Sequence, residues 1–223
     1  MFRLRLGFVA VATAALTLAI LFAVGGAYAG DKSANENTQP AATSGKLEIA
    51  TFGSGCFWCA ESDFDKVKGV VKTISGYMGG KTRSPTYHQV SSGRTGHAEV
   101  LQVTFDPKKV SYAKLLDYYW RHTDILDGGG QFCDRGSQYR PVIFVHSPEQ
   151  KRLALEGKAA LDKSGRFKKP LAVEITDASE FTPAETYHQN YYKKNPIRYH
   201  VYRYGCGRDQ RIKALWGSRQ ASH

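Results

Sequence analysis

Gly53-Ser54-Gly55-Cys56-Phe57-Trp58-Cys59-Ala60-Glu61 is the stretch whose reading decides the fold. Upstream of it, Leu47 to Phe52 reads as a short strand. Downstream, Phe57, Ala60, Phe64 and Val67 recur at intervals of three and four, which is one face of a helix. Glycines let the backbone turn sharply between the two elements. Cys56 then falls at the helix N-terminus, where unpaired N–H groups and the helix dipole favour a thiolate. The position therefore predicts a nucleophile with a lowered pKa. A structural Cys56–Cys59 disulfide is the competing reading outside the cytosol. Phe57 and Trp58 predict one wall of an apolar pocket, with plain core packing an equal alternative for Phe57.

Outward from this corner, Val70 to Tyr77 returns to strand character and ends at Gly79-Gly80. Lys81 to Gly96 is polar and Gly-punctuated, a long loop of the kind that carries function. His97 to Phe105 alternates as a strand. Ser111 caps a helix with Tyr112, Leu115, Leu116 and Tyr119 on its face. Thr123 to Gln138 is a second Gly-rich loop, and Val142 to Val145 a buried strand. Ser147-Pro148-Glu149-Gln150 is a capping box opening a further helix. Leu171 to Ile175 is the next strand, and Thr182-Pro183-Ala184-Glu185 signals a last helix to about Tyr192. Past Pro196 the chain reads as irregular, basic and aromatic.

Two consecutive strands argue against a purely parallel sheet. The expected class is α+β: a two-layer mixed sheet with helices mainly on one face, a split β-α-β (ferredoxin-like) core and an irregular C-terminal tail. No internal repeat is evident, and residues 46–217 form a single expected domain.

The chain has 223 residues with 31 Lys and Arg against 20 Asp and Glu, a net charge of +11. With 11 Phe, 13 Tyr and 3 Trp, disorder is excluded. The bases are dispersed, with no run longer than two, so nucleic acid is not an expected partner. Arg3 and Arg5, an apolar run from Gly7 to about Gly26, and Ala27-Tyr28-Ala29 make a secretory signal over residues 1–29. An exported, periplasmic location is expected, with an uncleaved membrane anchor as the alternative. Residues 30–45 read as a flexible polar spacer.

Gly55-Cys56-Phe57-Trp58 closely resembles the signature of A-type peptide methionine sulfoxide reductases. Thr86-Tyr87, Ser92-Gly93, Thr95-Gly96-His97-Ala98-Glu99, Asp134-Arg135-Gly136-Ser137-Gln138-Tyr139-Arg140, Tyr187-His188-Gln189 and Lys194-Asn195-Pro196 follow in the same order. The resemblance spans about Lys46 to Cys206. It implies reduction of peptide-bound, and also free, methionine-S-sulfoxide, beginning with attack by Cys56. It also implies Glu99 as the acid, Tyr87 and Tyr139 as neutral donors, and Asp134 in the polar network. On residue type alone, Glu99 reads rather as a surface strand residue and Asp134 as a turn residue. The sulfoxide methyl would sit against Phe57 and Trp58.

By the same resemblance Cys206, between Gly205 and Gly207, is the first choice as resolving thiol, with Cys59 the alternative one helical turn from Cys56. Cys133 stands where many members have Asn, and is expected to be inert rather than a third relay thiol. No bound cofactor is implied. A thioredoxin-like protein or another dithiol would supply electrons, oxidised methionine-containing proteins would be the substrates, and a monomer is expected. Glu185 and His188 make an E-x-x-H spacing without evident partner ligands, so no metal is expected. Two rivals remain. A thioredoxin-like oxidoreductase built on Cys56-x-x-Cys59 would need no Glu99. An exported binding module would hold two structural disulfides.

Overall fold

The computed structural model describes residues 45–217. The expected leader and nearly all of the spacer lie outside the described residues. In chain order the elements are β1 (Glu48–Ser54), α1 (Phe57–Phe64), β2 (Val70–Met78), α2 (Tyr87–Ser91), β3 (Ala98–Phe105), α3 (Tyr112–His122), β4 (Gly130–Gln131), β5 (Asp134–Arg135), β6 (Pro141–Val145), α4 (Pro148–Lys163), β7 (Glu174–Asp177), β8 (Thr182–Pro183), α5 (Tyr191–Lys194), α6 (Pro196–Gly205) and α7 (Arg208–Trp216). No helix of the described residues is long and apolar enough to cross a membrane.

Six strands form one mixed sheet in the order β7-β6-β1-β3-β2-β8. β3 lies between β1 and β2 and is antiparallel to both, the split β-α-β arrangement that two consecutive strands predict. β6 pairs antiparallel with β1 and parallel with β7. Alternation along β3 sends Leu101, Val103 and Phe105 to one face and Ala98 and Val100 to the other. The first face packs on α1, α3, α4 and α7 through Phe64, Leu115, Tyr119, Ala154 and Ile212. The second is covered by Ala178 and Phe181 from the segment after β7. The helices therefore lie mainly on one face, as expected.

The strand expected over Leu171 to Ile175 runs instead over Glu174–Asp177, and two further expectations differ in kind. Thr182-Pro183 does not open a helix: it adds to the sheet edge, where Gly76 pairs with Pro183 and Tyr77 with Thr182. The Gln189 side chain completes that edge, accepting from Ser75 N at 3.0 Å and donating to Ser75 O at 2.8 Å. The unpaired backbone groups of β2 outcompete the local capping signal, because a buried strand edge must be satisfied. Nor is the segment past Pro196 irregular. It forms α6 and α7, with Pro196 in the first turn of α6. Apolar periodicity is weak there because the buried residues that anchor these helices include Arg208 as well as Tyr199, Ile212 and Trp216. Short elements also appear within the two long loops: α2 in the first, and the β4–β5 hairpin in the second.

Phe52 ties the layers together. It is fully buried and stacks on Phe64 at 5.1 Å and Tyr119 at 5.2 Å. Phe52→Ala should lower unfolding free energy by about 3–5 kcal/mol, the usual cost of emptying such a site. Urea unfolding followed by circular dichroism measures it, and a loss below about 1 kcal/mol would show that Phe52 does not bridge the layers.

Candidate active site

The corner between β1 and α1 has the predicted form. Gly55 carries a φ of +81°, and a Cβ there would lie 2.5 Å from Gln131 Cβ. At Gly53 a Cβ would lie 2.7 Å from Val142 Cγ1 on the adjacent strand. Any side chain at either place would push the corner off the sheet. Cys56 takes the N-cap position of α1, and its carbonyl accepts from Cys59 N at 3.1 Å and Ala60 N at 3.3 Å.

Glu99 sits directly beneath this corner. It has the parity of Leu101 and Val103 on β3, so the pleat aims it into the helix layer rather than at solvent. It is 2% exposed, and its Oε2 accepts from Phe57 N, the first amide of α1, at 3.1 Å. Burial pushes the carboxyl up to about 8, with Asp134 and Cys59 adding to the shift and the Phe57 amide opposing it. Glu99 is therefore a neutral acid at pH 7.

Tyr87 and Tyr139 converge on the same spot from different elements. Tyr87 opens α2, whose Thr86–Gln89 capping box fixes the turn, and its N–H donates to Glu185 Oε1 at 2.8 Å. Burial pushes the Tyr87 phenol up to about 12, with the nearby Glu99 and Cys56 contributing; a hydrogen bond with Tyr139 opposes. Tyr139 is raised by burial and then by Glu99. Both phenols stay protonated and can only donate or accept as neutral groups. Asp134 is also raised by burial, and its Oδ2 accepts from the Tyr202 hydroxyl.

Tyr202, on α6, was not singled out from the sequence. It also hydrogen-bonds Cys56, and its ring meets Trp58 edge-on at 5.7 Å. Trp58 stacks on Tyr191 at 3.7 Å and donates its indole N–H to His188 Nδ1 at 3.0 Å. Trp58 is half-buried and forms the site's aromatic rim, whereas Phe57, at 1% exposure, packs in a cluster with Tyr77, Val90 and Ala184. Glu185 and His188 are a hydrogen-bonded pair, His188 N donating to Glu185 O at 2.9 Å, but their side chains have different partners. Glu185 also accepts from the Tyr77 hydroxyl at 2.8 Å, while His188 orients Trp58.

The cysteines depart furthest from expectation. Cys56 and Cys59 are both free and both buried, at 7% and 2% exposure. The expected lowering of the Cys56 pKa is not found. Burial pushes its thiol up, the hydrogen bond to Cys59 and the charges of Cys59 and Glu99 add to this, and Tyr202 opposes it. Desolvation thus outweighs the helix terminus. Cys59 moves down instead, chiefly through the hydrogen bond from Cys56, helped by Arg208 and Arg203. Cys206, the first-choice partner for Cys56, is bonded to Cys133, 73 residues earlier. Cys133 is accordingly not an idle thiol in this structure.

Two guanidiniums, Arg208 buried and Arg203 partly buried, explain why the tail packs here. Arg203 reaches Asp63 at 2.8 Å and Tyr199 Oη at 2.9 Å. Arg208 donates to Ser54 O at 3.0 Å and His122 O at 2.9 Å and lies 3.6 Å from Asp63.

The neutral Glu99 can be observed directly. Carbon-13 NMR of carboxyl-labelled glutamate should show one resonance titrating near pH 8 that Glu99→Gln removes. A Glu99 resonance titrating in the ordinary carboxylate range would overturn the assignment.

The sequence model of the family described as peptide methionine sulfoxide reductase matches residues 48–220. The chain is 54% identical over 174 residues to peptide methionine sulfoxide reductase MsrA of Listeria monocytogenes serotype 4b, covering 78% of this chain and 98% of that one. It is 53% identical over 181 residues to peptide methionine sulfoxide reductase MsrA/MsrB of Vibrio cholerae, covering 81% of this chain but only 48% of that one. The chain thus spans about half the length of that relative. Among solved structures, it is similar to methionine sulfoxide reductase A of Corynebacterium diphtheriae, with 33% identity and a TM-score of 0.60 over 71% of this chain and 77% of that one.

Proposed function

Since the chain belongs to the peptide methionine sulfoxide reductase family and is an enzyme of its A type, we propose that Cys56 takes the oxygen from methionine-S-sulfoxide and that Glu99 supplies the proton this transfer needs. The observation that carries this reading is the convergence of a neutral buried carboxyl and neutral phenols on one free thiol. A sulfoxide oxygen is a poor leaving group until it is protonated. Glu99 is the acid that is still protonated at neutral pH, and Tyr87 and Tyr139 hold the oxygen through hydrogen bonds. Trp58 packs against the methyl group.

Oxygen passes from the sulfoxide sulfur to Cys56 Sγ. The substrate leaves as methionine, reduced by two electrons, and Cys56 becomes a sulfenic acid. Glu99 protonates the oxygen as it transfers and takes up the thiol proton of Cys56, so the sulfenic acid forms with the carboxyl again neutral. Cys59 then condenses with the sulfenic acid, releasing water and forming a Cys56–Cys59 disulfide. Cys59 is favoured over Cys206 here because it is free and already in hydrogen-bond contact. A thioredoxin-like dithiol supplies the two electrons that return the enzyme to its thiols. The basic start, apolar run and Ala27-Tyr28-Ala29 support export, where oxidised exported proteins would be the substrates. Mass spectrometry of the mature N-terminus separates cleavage after Ala29 from retention as an anchor.

Cys56→Ser should abolish single-turnover reduction of a methionine-S-sulfoxide peptide; substantial residual activity would sink the mechanism. Glu99→Gln keeps the shape but cannot give up a proton, so the single-turnover rate should fall about a hundredfold or more. In the unmutated protein that rate should fall as pH rises through about 8, because the raised carboxyl loses its proton there. A rate flat from pH 7 to 10 would mean that the tyrosines suffice.

A further inference from the structure

The four cysteines divide into a reduced pair inside and an oxidised pair outside. Cys56 and Cys59 are free thiols beneath Trp58 and Tyr202, whereas Cys133 and Cys206 are bonded to each other. Cys133 lies at the tip of the β4–β5 hairpin after Phe132, which has a φ of +56°, and it is exposed. Cys206 caps the end of α6 and lines a surface groove of about 720 Å³ with Phe132 and Leu126. The outer disulfide is therefore open to solvent.

It is also next to the reacting groups. Asp134 immediately follows Cys133, and Tyr202 lies one turn before Cys206, whose N–H donates to Tyr202 O at 2.9 Å. The Tyr202 hydroxyl bonds both Asp134 and Cys56. One hydroxyl thus spans the gap between the nucleophile and the chain carrying the outer disulfide. Gly207, with a φ of +69°, and the exposed Gly205 flank Cys206, so the last turn of α6 can open without breaking the core.

A protein dithiol faces a steric problem at the inner pair. Thiol–disulfide exchange requires in-line approach to a sulfur, and Cys56 and Cys59 are 7% and 2% exposed. A bond formed between them must be carried to the surface before a second protein can reduce it.

We propose that Cys133 is a further redox residue of this enzyme, the thiol that finally carries the oxidising equivalent and meets the external dithiol. This rests on the reading that Cys56 forms a sulfenic acid resolved by Cys59. With the outer pair reduced, the Cys206 thiolate attacks Cys56 Sγ of the Cys56–Cys59 disulfide. The Cys56–Cys206 bond forms and Cys59 leaves as a thiolate beside Arg208 and Arg203. The Cys133 thiolate then attacks Cys206 Sγ, forming Cys133–Cys206 and releasing Cys56. Two electrons have moved from the outer dithiol to the inner disulfide, with protons taken up at Cys56 and Cys59. A dithiol protein next attacks the exposed Cys133 Sγ and releases Cys206, and its second thiol displaces Cys133. The donor becomes the disulfide and the chain returns to four thiols. The arrangement in the structure, thiols inside and disulfide outside, is the state just before that last step.

The test begins with the full chain reduced to four thiols under anaerobic conditions. One equivalent of a methionine-S-sulfoxide peptide is added, and samples are quenched with acid, alkylated with N-ethylmaleimide and peptide-mapped over time. The expected result is one methionine released per chain, then a Cys133–Cys206 disulfide with Cys56 and Cys59 alkylated. Methionine release with the oxidation remaining on Cys56, and Cys133 and Cys206 alkylated, would overturn the relay. Absence of methionine would instead reject the reading on which the relay rests. Cys133→Ser provides the second arm. It should release its one methionine at the parent rate, which also certifies a folded site. With thioredoxin and its reductase as donor, its steady-state rate should fall tenfold or more, while dithiothreitol, small enough to reach the interior, should restore most of it. Parent-rate turnover of Cys133→Ser with thioredoxin would overturn the proposal.

Discussion

The Glu99 carboxyl sits against the first amide of α1 and out of water, and the rest of the site follows from how it is held there. The N–H of Phe57 gives it one hydrogen bond and favours its anion, but the desolvation around it favours the acid more strongly, and the acid prevails. That balance exists only because β3 delivers residue 99 to the face that packs on the helices. It also needs the β1–α1 corner to come close enough for the amide to reach, which Gly53 and Gly55 permit and a Cβ at either position would prevent. Among the described residues no cation contributes to holding Glu99 charged, while Asp134 lies near enough to oppose it. The phenols of Tyr87 and Tyr139 are neutral too, raised chiefly by their own burial and further by the Glu99 anion once that carboxyl has lost its proton at higher pH. Proton donors, rather than fixed charges, meet the substrate.

A second constraint lies behind the first. Asp63 on α1 is buried against Arg203 and Arg208 from the last two helices. Removing one partner of such a group would leave an uncompensated buried charge, a cost of about 3–5 kcal/mol, so the tail is bound to α1 by what its absence would expose. Arg208 makes two backbone hydrogen bonds as well, to Ser54 O and His122 O. This anchoring brings Tyr202 to Cys56, and its helix carries Cys206 to the hairpin that bears Cys133. The same guanidiniums lower the Cys59 thiol, so the network that packs the tail also biases the chemistry of the inner cysteine pair.

Much of this was legible in the chain. Glycine–cysteine punctuation between a strand pattern and a helical face located the corner, and two successive strands excluded a purely parallel sheet. The strand over His97 to Phe105 follows from alternation alone. Glu99 and Tyr87 came through the family resemblance, since a single glutamate in a strand carries no local mark of burial. Tyr202 was one of 13 tyrosines in a segment without apolar periodicity, and nothing local marks it. The capping signal at Thr182 was misleading because local propensity is weak beside an unsatisfied strand edge.

The sequence by itself determined the elements of the sheet, the helix-initiating cysteine and the family, because these rest on residues close together or on ordered motifs. The tertiary structure decided the protonation of the cysteines and their pairing. A helix terminus predicts a low pKa for Cys56, but its burial, set by residues distant in sequence, reverses the sign. Four cysteines allow three pairings, and no spacing rule selects among them. The choice of Cys133 for Cys206 depends on where a hairpin tip and a helix end meet across 73 residues, and that meeting is fixed by the buried charges that hold the last helices to the first.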